Sequence, residues 1–400
     1  MKKYSIVAFM LISVMLMACG GDDGLTTPKQ TTSDSQDGDD TTLTIDSTYV
    51  YQLPVIFHVL YQDKNDASQY IKAMRLKNIL QYVNQIYRGG IYGESANTHL
   101  EFVLAKKDES GQNLSTPGVE YVHYTGDYPI DEEQFMSSSD NTKYIWDPNE
   151  YINVMLYHFK DRADGEVLGI SHMPFTTKGS NQLKGLEAME AQYISKSRLG
   201  FPLCSSINSI YAGQSDQGGY YQSDRYTASD HQAKYLVASD IVVTLAHELG
   251  HYLGLFHIFT EDMATTQEAE IFNAVDSCAD TDYCEDTPSY NRAEYNGYLA
   301  SYYISTPIEQ QDPWDVLKRY SCDASEFYSA NIMDYAITLG YKISPDQKAR
   351  IRNVLYYSPL IPGPKLNKVN KRTRAGSESE EGPIIRPRII REQLIHQYKH

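Results

Sequence analysis

The chain has 400 residues, enough for one large domain or two small ones, and 41% of them are hydrophobic, which suffices for an ordinary globular core. A formal net charge of −17 excludes a nucleic-acid backbone as partner, because an acidic surface repels phosphate at long range. The 34 tyrosines fit a β-rich chain with half-buried strand tyrosines better than an aromatic binding surface.

At the N-terminus, Lys2 and Lys3 precede an apolar run from Ile6 to Met17. That run is shorter than the ~20 residues a bilayer span requires. It ends in Leu16-Met17-Ala18-Cys19, which resembles a bacterial lipobox. The resemblance implies that residues 1–18 are a signal peptide and that Cys19 carries a lipid. Gly20-Gly21-Asp22-Asp23 is similar to the surface-export signal of Bacteroidetes lipoproteins. The expected address is the outer face of the outer membrane, with the periplasmic face second, and the chain is anchored to the membrane without crossing it. Residues 19–47 are rich in Gly, Asp, Ser and Thr, cannot bury enough surface to fold, and read as a flexible tether.

Structure is expected to begin near Tyr49, in a domain over 48–357. Val50 to Tyr61 is β-prone and reads as a buried strand, with Pro54 near its start, where a missing donor matters least. From Ile71 to Tyr87 the apolar residues Leu76, Ile79, Leu80, Val83, Ile86 and Tyr87 recur at helical spacing until Arg88-Gly89-Gly90 stops them. Leu100 to Ala105 and Tyr151 to Tyr157 are further strands, and Ser205 to Tyr211 a short one. A second helix is expected over Ala238–Leu253, with the stripe Ile241, Val242, Leu245, Leu249 and Tyr252. After it the chain turns loop-rich and acidic, up to a last helix from Pro345 to Tyr356 with proline in its first turn. The order predicts an α/β (α+β) layer: a mixed twisted sheet, a backing helix, a central helix and a loop-rich C-terminal subdomain over 255–357. Residues 358–400 read as a disordered or extended tail, or as a small strand or helix around Ile389–Leu394.

The central helix carries His247-Glu248-Leu249-Gly250-His251-Tyr252-Leu253-Gly254-Leu255-Phe256-His257. Residues i and i+4 lie only ~40° apart around a helix axis, so His247 and His251 project to one side at metal-ligand spacing. Gly254 can take a positive φ, ending the helix and swinging His257 back as a third ligand. Three neutral imidazoles suit Zn²⁺ and leave its fourth position for water, whose pKa zinc lowers to about 7. Glu248, beside the first ligand, is placed to take that water's proton and pass it on. A purely structural zinc site would need a fourth protein ligand. The cysteines offer no CxxC pair. With Cys19 set aside, Cys204, Cys278, Cys284 and Cys322 form an even set, compatible with two disulfides in three pairings.

This run resembles the signature of the metzincin zinc proteases. Ser329-Ala330-Asn331-Ile332-Met333-Asp334-Tyr335 is similar to the methionine turn that the clan places under its metal, with Met333 as the floor. Within the clan the resemblance is to the pappalysin family, on that string, on Cys278-Ala279-Asp280-Thr281-Asp282-Tyr283-Cys284-Glu285-Asp286-Thr287-Pro288, and on the opening strand and helix. It spans roughly residues 50–357. It implies an endopeptidase acting on extended protein or peptide substrates, with Tyr335 stabilising the oxyanion. It implies a calcium ion on Asp282, the carbonyl of Glu285 and Thr287, against the simpler reading of a solvated acidic loop. It also implies a Cys278–Cys322 disulfide, which would leave Cys204 and Cys284 to pair. Metzincins present an edge strand to their substrate, and Ser205–Tyr211 is the candidate. The rival function is a surface lipoprotein that binds peptide or glycan around a non-catalytic metal site. Oligomeric state is not legible.

Overall fold

In the computed structural model the described residues are 45–162, 165–212, 240–261, 275–335, 337–366 and 384–395. The chain divides into residues 1–42, which lie outside these and include Cys19, and a unit over 43–400. Strand β1 (Tyr51–Tyr61) is followed by α1 (Ala73–Arg88), β2 (Leu100–Leu104), β3 (Val119–His123), α2 (Glu132–Ser137), β4 (Ile152–Tyr157) and β5 (Gly165–His172). The two-residue strands β6 (Thr176–Thr177) and β7 (Ala188–Met189) come next, then β8 (Ser205–Asn208), α3 (Ser209–Ala212) and α4 (Ile241–Tyr252). The C-terminal part holds α5 (Arg292–Ser305), α6 (Pro313–Leu317), β9 (Lys318–Tyr320), β10 (Glu326–Tyr328), α7 (Pro345–Tyr357) and β11 (Ile389–Ile395).

Seven strands form one mixed sheet in the order β11-β5-β8-β4-β1-β2, with β3 also on β1. β1 organises it: β2 pairs in parallel with Tyr51–Val55 and β3 with Phe57–Tyr61, so both share one flank, while β4 takes the other. A strand enclosed in this way is apolar almost throughout, and Phe57, Val59 and Leu60 are buried. The one buried polar residue of β1 is tied down: His58 meets Glu120 of β3 at 2.7 Å and Asn153 of β4 at 2.9 Å.

Helix α1 buries the six residues expected of its stripe and ends at Gly89, whose φ is +70°. It packs against α4, and the Tyr87 hydroxyl donates to the Ala246 carbonyl at 2.9 Å. Helix α4 starts at Asp240, which caps Val242 N–H, and every one of its residues is buried. Positions 238–239, expected to open that helix, lie outside the described residues. Helix α7 carries Pro345 in its first turn behind a Ser344–Gln347 capping box.

Two expectations change, and one open alternative is decided. Ser205–Asn208 is an interior strand, parallel to β4 on one side and antiparallel to β5 on the other, so it presents no free edge. The strand beyond β5 is β11, where the tail was read as disordered or extended or as a small strand or helix around Ile389–Leu394: Ile389–Ile395 is a strand, antiparallel along β5, with an irregularity at Glu392/Gln393. The stretch after α4 also contains the 14-residue helix α5, capped by Asn291. Only Leu299 of that helix is buried, so it lacks the apolar stripe by which sequence periodicity reveals a helix.

Candidate metal centre and active site

The last turn of α4 and the turn that follows build the centre. Gly254 takes φ +91°, the Gly254 N–H bonds the His251 carbonyl, and the Leu255 N–H bonds the Gly250 carbonyl. These bonds fold the chain back at once, and His257 arrives beside the helix. The three Nε2 atoms then stand 3.0 Å (His247–His251), 3.1 Å (His247–His257) and 3.1 Å (His251–His257) apart. All three rings are fully buried.

Each ring's other nitrogen has a fixed acceptor. His247 Nδ1 donates to the Ile332 carbonyl at 2.7 Å, His251 Nδ1 to the Leu255 carbonyl at 2.8 Å, and His257 Nδ1 to Glu261 at 2.9 Å. Carbonyl and carboxylate oxygens only accept, so the proton sits on Nδ1 and each Nε2 turns a lone pair to the common point. Burial holds all three imidazoles neutral: His247 is brought down to about 4, and His251 and His257 fall well below their ordinary value. Three lone pairs facing one another at 3 Å repel unless a cation lies between them. Two nitrogens of a tetrahedral zinc stand roughly 3.3 Å apart, so the residues fit that ion. Among the described residues this is the one group of three or more His, Cys, Asp or Glu side chains that converges tightly enough for a metal.

Beneath the rings lies the methionine turn. Met333 is fully buried, and its sulfur comes within 2.5 Å of where a Cβ on Gly250 would be. Glycine between Leu249 and His251 is therefore what lets the floor approach the helix. The Met333 carbonyl accepts from Ile258 N–H at 3.1 Å, joining the turn to the segment just past His257. Asp334 acts as a turn-former: it is buried and accepts from the Tyr290 hydroxyl, the Ser329 hydroxyl and Tyr335 N–H.

Glu248 is buried on the side of β5. Its carboxylate fills the space where a side chain on Gly169 would begin, with Oε1 at 2.5 Å from that Cβ position. Tyr335 lies edge-on to His257 at 4.5 Å between ring centres. Burial pushes the Tyr335 phenol up to about 12, partly offset by Arg292, whose guanidinium lies 3.8 Å from the ring centre. Tyr335 thus remains a proton-bearing donor at neutral pH, and its hydroxyl donates to the Arg391 carbonyl of β11 at 2.6 Å.

Three residues escaped sequence reading, and a signal was present for one of them. Glu261 follows His257 by four positions, as an acid that orients a ligand histidine would. Gly250 and Gly169 carry no local signal at all, because what they accommodate comes from distant segments.

The acidic loop is held by bonds within itself and to neighbouring segments. Asp282 is buried, and its two carboxylate oxygens accept from Cys284 N–H at 2.9 Å and from the Thr287 hydroxyl at 2.6 Å. Glu285 N–H bonds Asp346 at 3.0 Å. Cys278 and Cys322 form the disulfide, with their Cα atoms 5.4 Å apart. The second pairing fails: Cys204 and Cys284 are both free and buried. Cys204 packs on Met136 of α2, whereas Cys284 belongs to the acidic loop beside Arg350, and burial raises both thiols.

No curated protein matches this sequence. Among solved structures, the chain is similar to mirolysin in complex with compound 9, at 20% identity and a TM-score of 0.48, covering 77% of this chain and 92% of that one. It is also similar to mature Tannerella forsythia mirolysin in complex with a cleaved peptide, at 18% identity and a TM-score of 0.44, covering 76% and 90%. Residues 207–356 match the family model of the M43 peptidases, pregnancy-associated plasma protein-A. The matched span opens within β8 and closes within α7, enclosing the histidine cluster and its methionine floor, and this match supports a pappalysin-like metzincin metalloprotease.

Proposed function

We propose that this metalloprotease cuts internal peptide bonds of extended polypeptides, with Glu248 as the proton carrier and Tyr335 as the donor to the scissile carbonyl. The observation that carries this is the convergence of three Nδ1-anchored imidazoles on one point, with Glu248 and Tyr335 beside it. Zinc bound there supplies Lewis acidity and makes water nucleophilic near neutral pH. Glu248 takes the proton of the attacking water and delivers it to the departing amine. The Tyr335 hydroxyl, already donating to a peptide carbonyl in this structure, strengthens that bond as negative charge grows on the oxygen.

The test is casein cleavage by the purified chain. Excess 1,10-phenanthroline is expected to abolish it, and added zinc to restore it; cleavage untouched by the chelator would remove the metal from the mechanism. Calcium stands outside this proposal, because among the described residues no group of three or more His, Cys, Asp or Glu side chains converges at Asp282. The anchor on Cys19 remains part of the reading on the lipobox alone. Metabolic labelling with a fatty-acid analogue should tag the native chain and not Cys19→Ala; equal labelling of the two would discard the anchor.

A further inference from the structure

Strand β11 runs directly over the site just described. It lies antiparallel along β5, with Arg391 opposite Ile170 and Glu392 opposite Gly169. Gly169 is the residue that makes room for the Glu248 carboxylate, and the carbonyl of Arg391 is the one that receives the Tyr335 hydroxyl at 2.6 Å. The Arg391–Glu392 peptide therefore pairs with the residue that houses the proton carrier and receives the hydroxyl of the carbonyl donor. The pairing extends backward, with Met173 N–H donating to the Arg388 carbonyl at 2.8 Å. Ile389, Ile390 and Arg391 are all buried. The Arg391 guanidinium reaches Glu133 at 3.1 Å and buried Glu132 at 3.6 Å, both on α2.

An extended peptide that joins a sheet by main-chain bonds takes the outermost strand as its template. Without β11 that template would be β5. We propose that β11 is a resident occupant of the substrate position: the chain's own C-terminal strand lies where an extended polypeptide adds to β5, and the cleft accepts substrate only after the strand leaves. This rests on the peptidase reading for its location, and it adds that the full chain is held closed. The closure combines main-chain pairing, which any peptide can replace, with the Arg391 ion pairs, which make the resident strand a strong competitor. A strand covalently tethered to its site also competes as an intramolecular ligand, which a free peptide must displace.

The experiment uses the full zinc-loaded chain carrying Glu248→Ala, so that nothing is digested. A fluorescein-labelled peptide of residues 384–395 is titrated in and followed by anisotropy. Ile390→Pro removes a backbone donor from β11, and Arg391→Ala removes the ion pairs while leaving the backbone intact. Each is expected to bind the labelled peptide at least tenfold more tightly than the chain with the native strand. Equal affinity in all three forms would overturn the proposal. With Glu248 present, both variants should cleave casein at least tenfold faster than the native chain. Tighter peptide binding with no chelator-sensitive cleavage by any form would uphold the occupied edge and defeat the peptidase reading instead.

Discussion

Glu248→Gln is expected to retain zinc at one equivalent per chain and to lose about 10³–10⁴-fold in kcat/KM on a quenched peptide, the upper part of the range for a positioned acid–base group. The substitution keeps the shape that Gly169 accommodates. The three imidazoles draw their orientation from Ile332, Leu255 and Glu261, which the exchange leaves in place, so metal content should hold. What disappears is the ability to take one proton and return another. The loss should fall on kcat more than on KM, since the interaction belongs to the transition state. Metal analysis and steady-state kinetics on the same sample check both halves. Loss of zinc together with activity would turn Glu248 into a structural support, and near-native kcat would eliminate it as the proton carrier.

Breaking the Cys278–Cys322 bridge, by Cys278→Ser with Cys322→Ser, is expected to lower unfolding free energy by about 4 kcal/mol. The bridge spans 44 positions of sequence, and closing a loop of that length removes about that much entropy from the unfolded chain in the chain-entropy treatment. Its position gives the loss a direction. It ties the acidic loop to the turn between β9 and β10, and from the base of that loop Tyr290 donates to Asp334 beside the methionine. Urea unfolding of the native and double-Ser proteins measures it. Cys204→Ser and Cys284→Ser, which break no covalent link, serve as comparisons for what a changed thiol costs alone. A double-Ser midpoint equal to that of the native protein would show the bridge to be incidental.

The metal centre was legible because it is local. His247, His251, Gly254 and His257 are brought together by one helix and one turn, and both are written in eleven consecutive residues. The sheet was partly legible for a similar reason: β1, β2 and β4 are enclosed and therefore apolar, and α1 shows a clean stripe. What escaped was set by distant pairing. Nothing in Ile389–Ile395 says that its partner is β5, and nothing in Ser205–Asn208 says that strands flank it on both sides. The disulfide was reached through resemblance. The second pair failed because an even number of cysteines does not place two of them side by side. The tyrosines were expected as strand residues, yet several serve as long-range ties. Tyr51, Tyr87, Tyr121, Tyr295 and Tyr335 each bring a hydroxyl to a carbonyl of a remote segment, a use that composition cannot reveal.

The carbonyl that orients His247 belongs to Ile332, 85 positions further along. The helix that clasps the glycine turn comes later still, through Arg350 Nε donating to the Gly254 carbonyl at 3.1 Å. A chain emerging from the ribosome thus carries His247 long before the carbonyl that aims it has been made. The oriented ligand set is complete only once residues 332 and 350 exist, and β11, which covers the site, is made after both.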